Sequence, residues 1–337
     1  MSVAVVSRPV TVRTDALERP EAGQEDLEQY RRELTGYCYR MLGSAFEAED
    51  AVQDTMVRAW KGIDSFEGRS ALRSWLYRIA TNVCLDMLRG RQRRARPMEM
   101  GPAGTVESFN GATLPEHAWV TPIPDNRILP DDGDPAELAA TRDTIRLAFV
   151  TALQHLPARQ RAVLLLREVL RWQATEVAEL LDTTVASVNS ALQRARATLA
   201  SKDLQDADPK VDDPEQQALL ARYVEAFERY DISSLVSLLH EDAVMSMPPY
   251  DFWLQGRDEM GRWFVGPGCG CEGSRLVATL GANGSAAFGS YRRDRDGGYF
   301  PWAIQVIEVS GGRIVGHHNF LDTDLFAAFG LPERLEA

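Results

Sequence analysis

The stretch from Ala174 to Leu199 constrains the fold most tightly, because it predicts two short helices separated by an abrupt break. Apolar residues recur at three- and four-residue spacing on both sides of Asp182-Thr183, and Thr184 is suited to cap the second helix. The predicted buried stripe of the second helix is Val185, Val188, Leu192, Ala195 and Leu199. Its other side carries hydroxyl, amide and guanidinium groups, which hydrogen-bond to bases and phosphates. The pattern favours a DNA-binding helix-turn-helix over an ordinary helical hairpin with a polar face.

The net charge of −12 over 337 residues is unevenly distributed along the chain. Residues 31–96 carry 13 Lys/Arg against 8 Asp/Glu, and residues 142–202 carry 9 against 5. Residues 97–141 carry 1 against 8, and residues 203–337 carry 11 against 22. Because a duplex attracts local basic surfaces whatever the total charge, both basic lobes are predicted to bind DNA.

Composition and periodicity predict two all-α lobes joined by a flexible linker, followed by an α+β cone. The predicted segments are a disordered N-terminus (1–25), the first lobe (26–96), an acidic Pro/Gly linker (97–141), the second lobe (142–202), a short linker (203–213) and the cone (214–337). In the cone, helices precede strands that turn at Gly297-Gly298 and Gly311-Gly312, which indicates an antiparallel meander wrapped around a helix.

Several classes of protein and site are disfavoured by the sequence. No apolar run is long enough to span a bilayer, and the first residues lack the features of a signal peptide. The four cysteines are scattered without metal-ligand spacing. We therefore expect a cytoplasmic protein with no membrane partner, no metal and no cofactor.

Two blocks of sequence carry a family resemblance. Residues 39–94 read YRMLGSAFEAEDAVQDTMVRAWKGIDSFEGRSALRSWLYRIATNVCLDMLRGRQRR, and residues 156–199 read LPARQRAVLLLREVLRWQATEVAELLDTTVASVNSALQRARATL. Together they resemble the sigma-70 family of bacterial transcription initiation factors, in its extracytoplasmic-function group. The resemblance implies that core RNA polymerase and promoter DNA are the partners. It also implies that the chain is not an enzyme, since polymerase carries out the chemistry.

The resemblance assigns roles to individual residues. It implies a surface for core polymerase at Asp50, Gln53, Asp54 and Val57. It implies melting and capture of the −10 element by Phe66, Arg69, Arg73, Trp75, Arg78, Asn82, Arg89, Arg91 and Arg93. It implies recognition of the −35 element by Thr184, Ala186, Ser187, Asn189, Ser190, Gln193, Arg194 and Arg196. Capture of an unstacked base offsets the cost of unpairing it, so DNA can open without ATP.

The recognition helix departs from the family pattern at two places. Asp182 stands where glycine is common at the turn, although aspartate tolerates a left-handed conformation. Asn189 and Ala191 stand where basic residues are common. We therefore predict that residues 142–202 alone bind duplex DNA weakly and depend on polymerase for affinity.

The last segment resembles the SnoaL-like, nuclear-transport-factor-2-like cone fold. The resemblance implies a pocket between helix and sheet for a small-molecule ligand, lined by Tyr223, Trp253, Trp263, Tyr291, Trp302, Gln305 and His318. The leading hypothesis is that the acidic linker and cone cover the basic lobes and so modulate activity. One alternative is a bifunctional factor whose cone is an isomerase- or cyclase-like enzyme that uses His318. The other is a ligand-sensing helix-turn-helix repressor, and the existence of a separate anti-sigma factor stays open.

Overall fold

The computed structural model describes residues 27–63, 66, 71–130, 134–201, 213–295 and 297–336. Its first lobe packs three helices, α1 (Arg31–Leu42), α2 (Ala45–Gly62) and α3 (Leu72–Met87). Gly43 ends α1 in a left-handed conformation, and the Ser44 side chain caps α2 by accepting from the backbone N–H of Glu47. The apolar sides of both helices are buried, with Leu34 and Met41 on α1 and Val52 and Ala59 on α2.

The second lobe contains α4 (Pro135–Asp143), α5 (Leu147–Gln154), α6 (Ala158–Leu164) and the helix-turn-helix pair α7 (Ala174–Leu180) and α8 (Val185–Ala200). Because α4 begins at Pro135, helical structure starts before the predicted lobe boundary at 142. A π-helical turn, Leu165–Val169, follows α6. Apolar residues of α6, α7 and α8 form the core that fixes the helix-turn-helix.

Residues 95–130, here called the strap, correct the prediction of a flexible linker. They do join the two lobes, but they contain four short 3₁₀ turns and bury Trp119, Val120 and Ile123. Thr121 shows why the strap is ordered: its N–H donates to the carbonyl of Gly43, and its hydroxyl accepts from the N–H of Ala45. The acidic composition that suggested solvation is outweighed by these buried apolar contacts and satisfied backbone groups.

The cone begins with α9 (Pro214–Glu228) and α10 (Ile232–Leu238), and α11 (Arg257–Val265) follows its first two strands. The strands are β1 (Leu239–Ser246), β2 (Trp253–Gln255), β3 (Arg275–Ala278), β4 (Ala286–Arg293), β5 (Tyr299–Ser310) and β6 (Arg313–Phe320), and a short helix, α12 (Leu325–Ala328), comes last. The strand order is β2-β1-β6-β5-β4-β3. The predicted antiparallel meander holds for β3 to β6, whereas β1 pairs with β6 in parallel.

The two faces of the cone sheet have different neighbours. Phe288 and Ile307 pack on the inner face with α9, α10 and α11. Ile304, Val306 and Phe320 lie on the outer face, in one continuous apolar core with the two helical lobes and the strap. The cone therefore packs directly against the rest of the molecule.

Candidate nucleic-acid interface

The outer side of α8 carries all the residues predicted to read duplex DNA. All eight, from Thr184 to Arg196, are exposed among the described residues. The Thr184 hydroxyl accepts from the N–H of Ser187 at 3.1 Å and so caps the helix as predicted. Asp182 takes a φ of 49°, which confirms that aspartate serves at the turn in place of glycine.

Two arginines on this surface are held by neighbours, and one predicted core residue is misplaced. Arg194 donates to the Ser190 hydroxyl at 2.5 Å, and Arg196 pairs with Glu168 at 2.5 Å. Val185 was predicted to lie on the buried stripe but is 38% exposed, because the first turn of α8 projects beyond the core that covers Val188. The buried stripe therefore starts one turn later than predicted.

The residues predicted to capture the −10 element lie along α3, but some are already engaged. Phe66 and Trp75 pack ring against ring with centroids 5.2 Å apart. Arg73 makes three hydrogen bonds to Glu33 and lies over the rings of Tyr77 and of Trp172 in the second lobe, so its guanidinium stabilises the contact between the lobes. Asn82 is exposed, and Arg69 lies outside the described residues.

The arginine run after α3 divides into exposed and buried members. Arg89 is exposed and pairs with Asp86 at 3.0 Å, whereas Arg91 pairs with Glu47. Arg93 contacts His155 of the second lobe. Arg94, which the sequence analysis did not single out, is buried and bonds Glu47 at 2.8 Å and the Trp119 carbonyl at 2.6 Å. The four arginines of one run thus differ in burial and in partners, although Arg91 and Arg94 share Glu47, and no local sequence pattern distinguishes them.

The predicted polymerase surface lies on the solvent side of α2. Asp50, Gln53 and Val57 are exposed, and Asp54 pairs with Arg58 one turn further along. Trp60, which the sequence analysis missed, lies one turn beyond Val57 and is 62% exposed. Its i+3 spacing from Val57 was the available signal.

The two lobes are in direct contact through several polar groups. The Arg78 guanidinium donates to the Glu179 carbonyl of α7 at 3.1 Å. Arg40 of α1 donates to the hydroxyl of Thr144 at 2.8 Å, and Arg161 of α6 donates to the carbonyl of Met41. A predicted −10 residue is therefore bound to the helix that supports the −35 reader.

One turn of the cone reaches into the contact between the lobes. Asn283, between β3 and β4, donates to the Tyr39 hydroxyl at 2.7 Å and to the Ile145 carbonyl at 2.5 Å. Its side-chain oxygen accepts from the N–H of Ile123 at 3.0 Å. This buried amide thus bonds the first lobe, the second lobe and the strap together, and we call these contacts the Asn283 joint.

Asp125 of the strap completes the Asn283 joint. Its carboxylate accepts from the N–H of Gly284 at 2.8 Å. Burial raises the pKa of this carboxyl to about 6, although the Gly284 hydrogen bond and the charge of Arg142 oppose the shift. Keeping the Asp125 carboxylate charged in this buried position therefore costs free energy.

The predicted cone pocket is split between different surroundings. The Tyr223 hydroxyl bonds Gln305 at 2.7 Å and His317 at 2.8 Å on the inner face. Burial, aided by the charge of His318, lowers the pKa of His317 to about 3, so its imidazole is neutral at pH 7. The sequence analysis placed His318 in the pocket, whereas the inner-face histidine is His317.

His318 and Tyr291 are corrections to the predicted pocket lining. His318 lies on the outer face, where it bonds the Ser246 hydroxyl at 2.8 Å and lies 3.4 Å from the Glu308 carboxylate. Burial would raise the pKa of Glu308, but His318 and more distant arginines outweigh it and hold the pKa at about 2. Tyr291 packs on the outer face against Phe326. Adjacent residues of a strand point to opposite faces of the sheet. His318 and Tyr291 therefore lie on the face opposite to the one that packs against Tyr223, and they cannot line a pocket with it.

Of the three predicted pocket tryptophans, two contact the strap and one contacts an arginine of the cone. The Trp253 indole donates to the Gly101 carbonyl of the strap at 2.9 Å. Trp263 packs edge-on against Phe109 of the strap, with ring centroids 4.9 Å apart. Trp302 lies under the Arg292 guanidinium at 3.2 Å. The strap therefore occupies part of the surface that the sequence analysis assigned to a ligand.

Comparisons with known proteins agree with this organisation. Family models match at residues 27–94 (sigma-70 region 2), 146–199 (sigma-70 region 4) and 220–317 (SnoaL-like domain). The ECF RNA polymerase sigma factor SigG of Mycobacterium tuberculosis is 45% identical over 312 residues, covering 91% of this chain and 83% of SigG. SigJ of the same organism is 28% identical over 324 residues, covering 92% of this chain and 95% of SigJ. The crystal structure of SigJ matches with a TM-score of 0.58 at 23% identity, covering 92% of this chain and 100% of SigJ, so the overall fold is shared.

Proposed function

Because the chain belongs to the extracytoplasmic-function group of the sigma-70 family, we propose that its cone and strap regulate promoter recognition by holding the two sigma regions in contact. Its membership makes it a transcription initiation factor with promoter-recognition regions 2 and 4. The region 2 match rules out the alternative of a dedicated helix-turn-helix repressor. Sigma factors bind core RNA polymerase and promoter DNA, and this chain carries both regions for that purpose.

The contact between Arg78 and Glu179 is the observation that carries the proposal. The −35 and −10 elements are separated by roughly 25 base pairs, or about 85 Å of duplex at 3.4 Å per base pair. Two lobes that touch one another cannot reach both elements at once. The contact therefore has to break before a promoter is fully engaged, and the free energy needed to break it controls activity.

We assign promoter and polymerase contacts to the exposed surfaces described above. The solvent side of α2, with Asp50 and Val57, would bind core polymerase, and Trp60 extends that surface. Phe66, Trp75 and Asn82 would receive unstacked bases of the −10 element. The exposed side of α8 would read the −35 element in the major groove. Arg78 would contact the −10 element only after its hydrogen bond to the Glu179 carbonyl breaks.

The cone acts in this proposal as a regulatory module. Its outer face shares an apolar core with the lobes, and the Asn283 joint links all parts of the chain. His318, the residue on which the enzyme alternative relied, is buried between the sheet and the lobes, where it bonds Ser246. The geometry therefore favours regulation over turnover.

Substitution of Asn283 by alanine tests the proposal. Asn283→Ala removes the buried bonds to both lobes and the strap, so opening becomes less costly by about 1 kcal/mol for each bond that water replaces. In run-off transcription with limiting core polymerase, we expect open-complex formation to rise between roughly tenfold and a hundredfold, since about 1.4 kcal/mol corresponds to a factor of ten. Leu280→Ala, in the same turn but 76% exposed, should leave the yield unchanged. Equal yields from Asn283→Ala and the wild type would contradict the proposal.

A further inference from the structure

A groove of about 820 Å³ lies between the two sigma regions. Its walls come from the arginine run after α3, from the junction of α5 and α6, and from His117 of the strap. It exists because the lobes are in contact, so promoter recognition in the open arrangement does not account for it. Arg91 and Arg93, to which we assign DNA contacts in the open arrangement, line this groove in the closed one.

The groove carries an excess of positive charge in a chain whose net charge is −12. Arg91, Arg93, Arg94 and Arg161 line it, and within the described part of the chain Glu47 is its one carboxylate. Glu47 is shared between Arg91 and Arg94. The guanidinium of Arg93 instead contacts the imidazole of His155, at 2.5 Å from Nε2, and that nitrogen lies 2.9 Å from the carboxylate of Glu99 behind the groove lining, so Arg93 itself has a neutral ring as its partner.

Arg161 is the most deeply buried of these cations, with 4% of its surface exposed. Its two terminal nitrogens donate to the carbonyls of Met41, Gln154 and Leu156 and to the side-chain oxygen of Gln154, so only its Nε has no hydrogen-bond partner. Burial lowers the pKa of this guanidinium to about 10, which still leaves it charged at pH 7. The partners of this cation are neutral carbonyl and amide oxygens. A buried cation with only neutral partners attracts an anion more strongly than an exposed cation does.

We propose that this groove binds a small polyphosphate anion, of the class of a nucleoside di- or triphosphate. Guanidinium groups bind phosphate oxygens in bidentate geometry, and several converge here. The groove volume lies within the range of small-molecule sites. It corresponds to a cube about 9 Å on an edge, whereas the major groove of duplex DNA alone is about 12 Å wide, so a double helix does not fit.

Occupation of this site favours the closed arrangement, because the site is built from both lobes. Arg93 belongs to the first lobe and Arg161 to the second, and an anion that bonds both is lost when they separate. This consequence rests on the proposed function, whereas the binding site itself does not. The anion would act as an inhibitor of opening, with an effect set by its concentration relative to its Kd.

Calorimetric titration of the full chain with sodium tripolyphosphate at constant ionic strength tests the site. We expect saturable binding of one anion per chain. Arg93→Ala should weaken it roughly tenfold, the loss expected for one charge-assisted bond. Arg89→Ala, in the same run but outside the groove, should change the affinity less than about twofold. Tripolyphosphate should raise the Tm of the wild type and of Arg89→Ala, and raise that of Arg93→Ala less.

Three results would overturn the proposal. The first is the absence of saturable binding. The second is an equal loss of affinity in both variants, which would indicate diffuse electrostatic attraction. The third is binding of a single-stranded oligonucleotide that depends on Arg93 while tripolyphosphate does not bind, which would assign the groove to DNA. A different outcome would separate the two proposals. If tripolyphosphate binds and Arg93→Ala and Arg89→Ala change its affinity as expected, while Asn283→Ala leaves transcription unchanged, the proposed regulation is refuted and the anion site is retained.

Discussion

At the scale of single residues, Asn283 and Asp125 connect parts of the chain that lie far apart in sequence. Asn283 takes a φ of 54°, a conformation that asparagine adopts more readily than most residues, and this aims its amide at both lobes. Asp125 holds the same turn through Gly284 at the cost of a buried charge. Because burial of this charge costs free energy, the stability of the folded chain depends on pH.

Asp125→Asn is expected to stabilise the protein at neutral pH. The pKa of Asp125 is about 6 in the folded chain, whereas the ordinary pKa of an aspartate carboxyl is 3.8. Between these values the folded state binds more protons, so the wild type loses stability as the pH rises through this window. Asparagine keeps an oxygen for Gly284 without the charge. The Tm difference between variant and wild type should be near zero at pH 4 and should grow by pH 7 to the equivalent of at most about 3 kcal/mol.

Asp251→Asn, at an exposed aspartate of the cone, is the matched control for this measurement. Its Tm should follow that of the wild type at every pH. A Tm difference for Asp125→Asn that does not change between pH 4 and pH 7 would show that the buried carboxyl is not the cause.

At the scale of elements, the strap shows how a segment without regular secondary structure can be ordered. Its Gly104 N–H donates to the Trp253 carbonyl at 2.9 Å, and the N–H of Val106 donates to the Glu259 carboxylate at 3.1 Å. Between these contacts and the first lobe, Phe109 inserts among three aromatic rings of the cone. The strap thus links β2 and α11 of the cone to the lobes.

Phe109→Ala should detach this end of the strap. The ring is half-buried, so we expect a loss of about 2 kcal/mol, roughly half the cost for a fully buried phenylalanine. Hydrogen exchange should rise at Gly104 and Val106, whose N–H groups bond the cone. Met100→Ala removes an exposed apolar side chain of the same strap and should change neither quantity. Unaltered exchange in Phe109→Ala would mean that the backbone bonds alone hold the strap.

Helix α8 gives a second prediction at the scale of elements. Gln193 and Arg194 project from its exposed side, so replacing either by alanine should reduce −35-dependent open-complex formation by roughly tenfold. Ser201→Ala, beyond the end of α8, should have little effect. Run-off transcription from promoters with and without an intact −35 element measures the difference. Equal losses on both promoters would mean that these side chains do not read the −35 sequence.

At the scale of the whole molecule, the closed arrangement opposes the function of the two sigma regions. Residues 203–337 hold 22 of the 49 acidic residues, and the cone within this range packs against the basic lobes. Within the described part of the chain, no helix is long and apolar enough to cross a membrane. Under the proposed function, polymerase binding supplies the free energy that separates the lobes.

Energy transfer between labels on Gln29 and Ser201, which lie outside the proposed DNA and polymerase surfaces, should report this separation. Both positions are exposed, one on each lobe, so labelled cysteines there should preserve the fold. Efficiency should be high in the free chain and should fall when core polymerase and promoter DNA are added, because the two elements lie about 85 Å apart. Constant efficiency would contradict opening.

The sequence determined the helices, their caps and the recognition surface, because these depend on contacts between residues three or four positions apart. The Thr184 cap, the left-handed Asp182 and the exposed side of α8 followed from such local patterns. The family resemblance likewise identified both sigma regions and the cone. Whether His317 or His318 faces α9 was decided by the register of β6, which shifts every side chain to the other face when it changes by one residue.

Only the tertiary structure decided how the parts are arranged. The strap has no periodic pattern of apolar residues. Its burial therefore depends on contacts with the two lobes and the cone, which only the folded chain brings together. The partners of the arginines near the lobe contact, and the charge excess in the groove, depend equally on which lobes meet. The helix-turn-helix therefore has the predicted helices and turn, apart from the exposed Val185, but its bond to Arg78 is a property of the assembled chain.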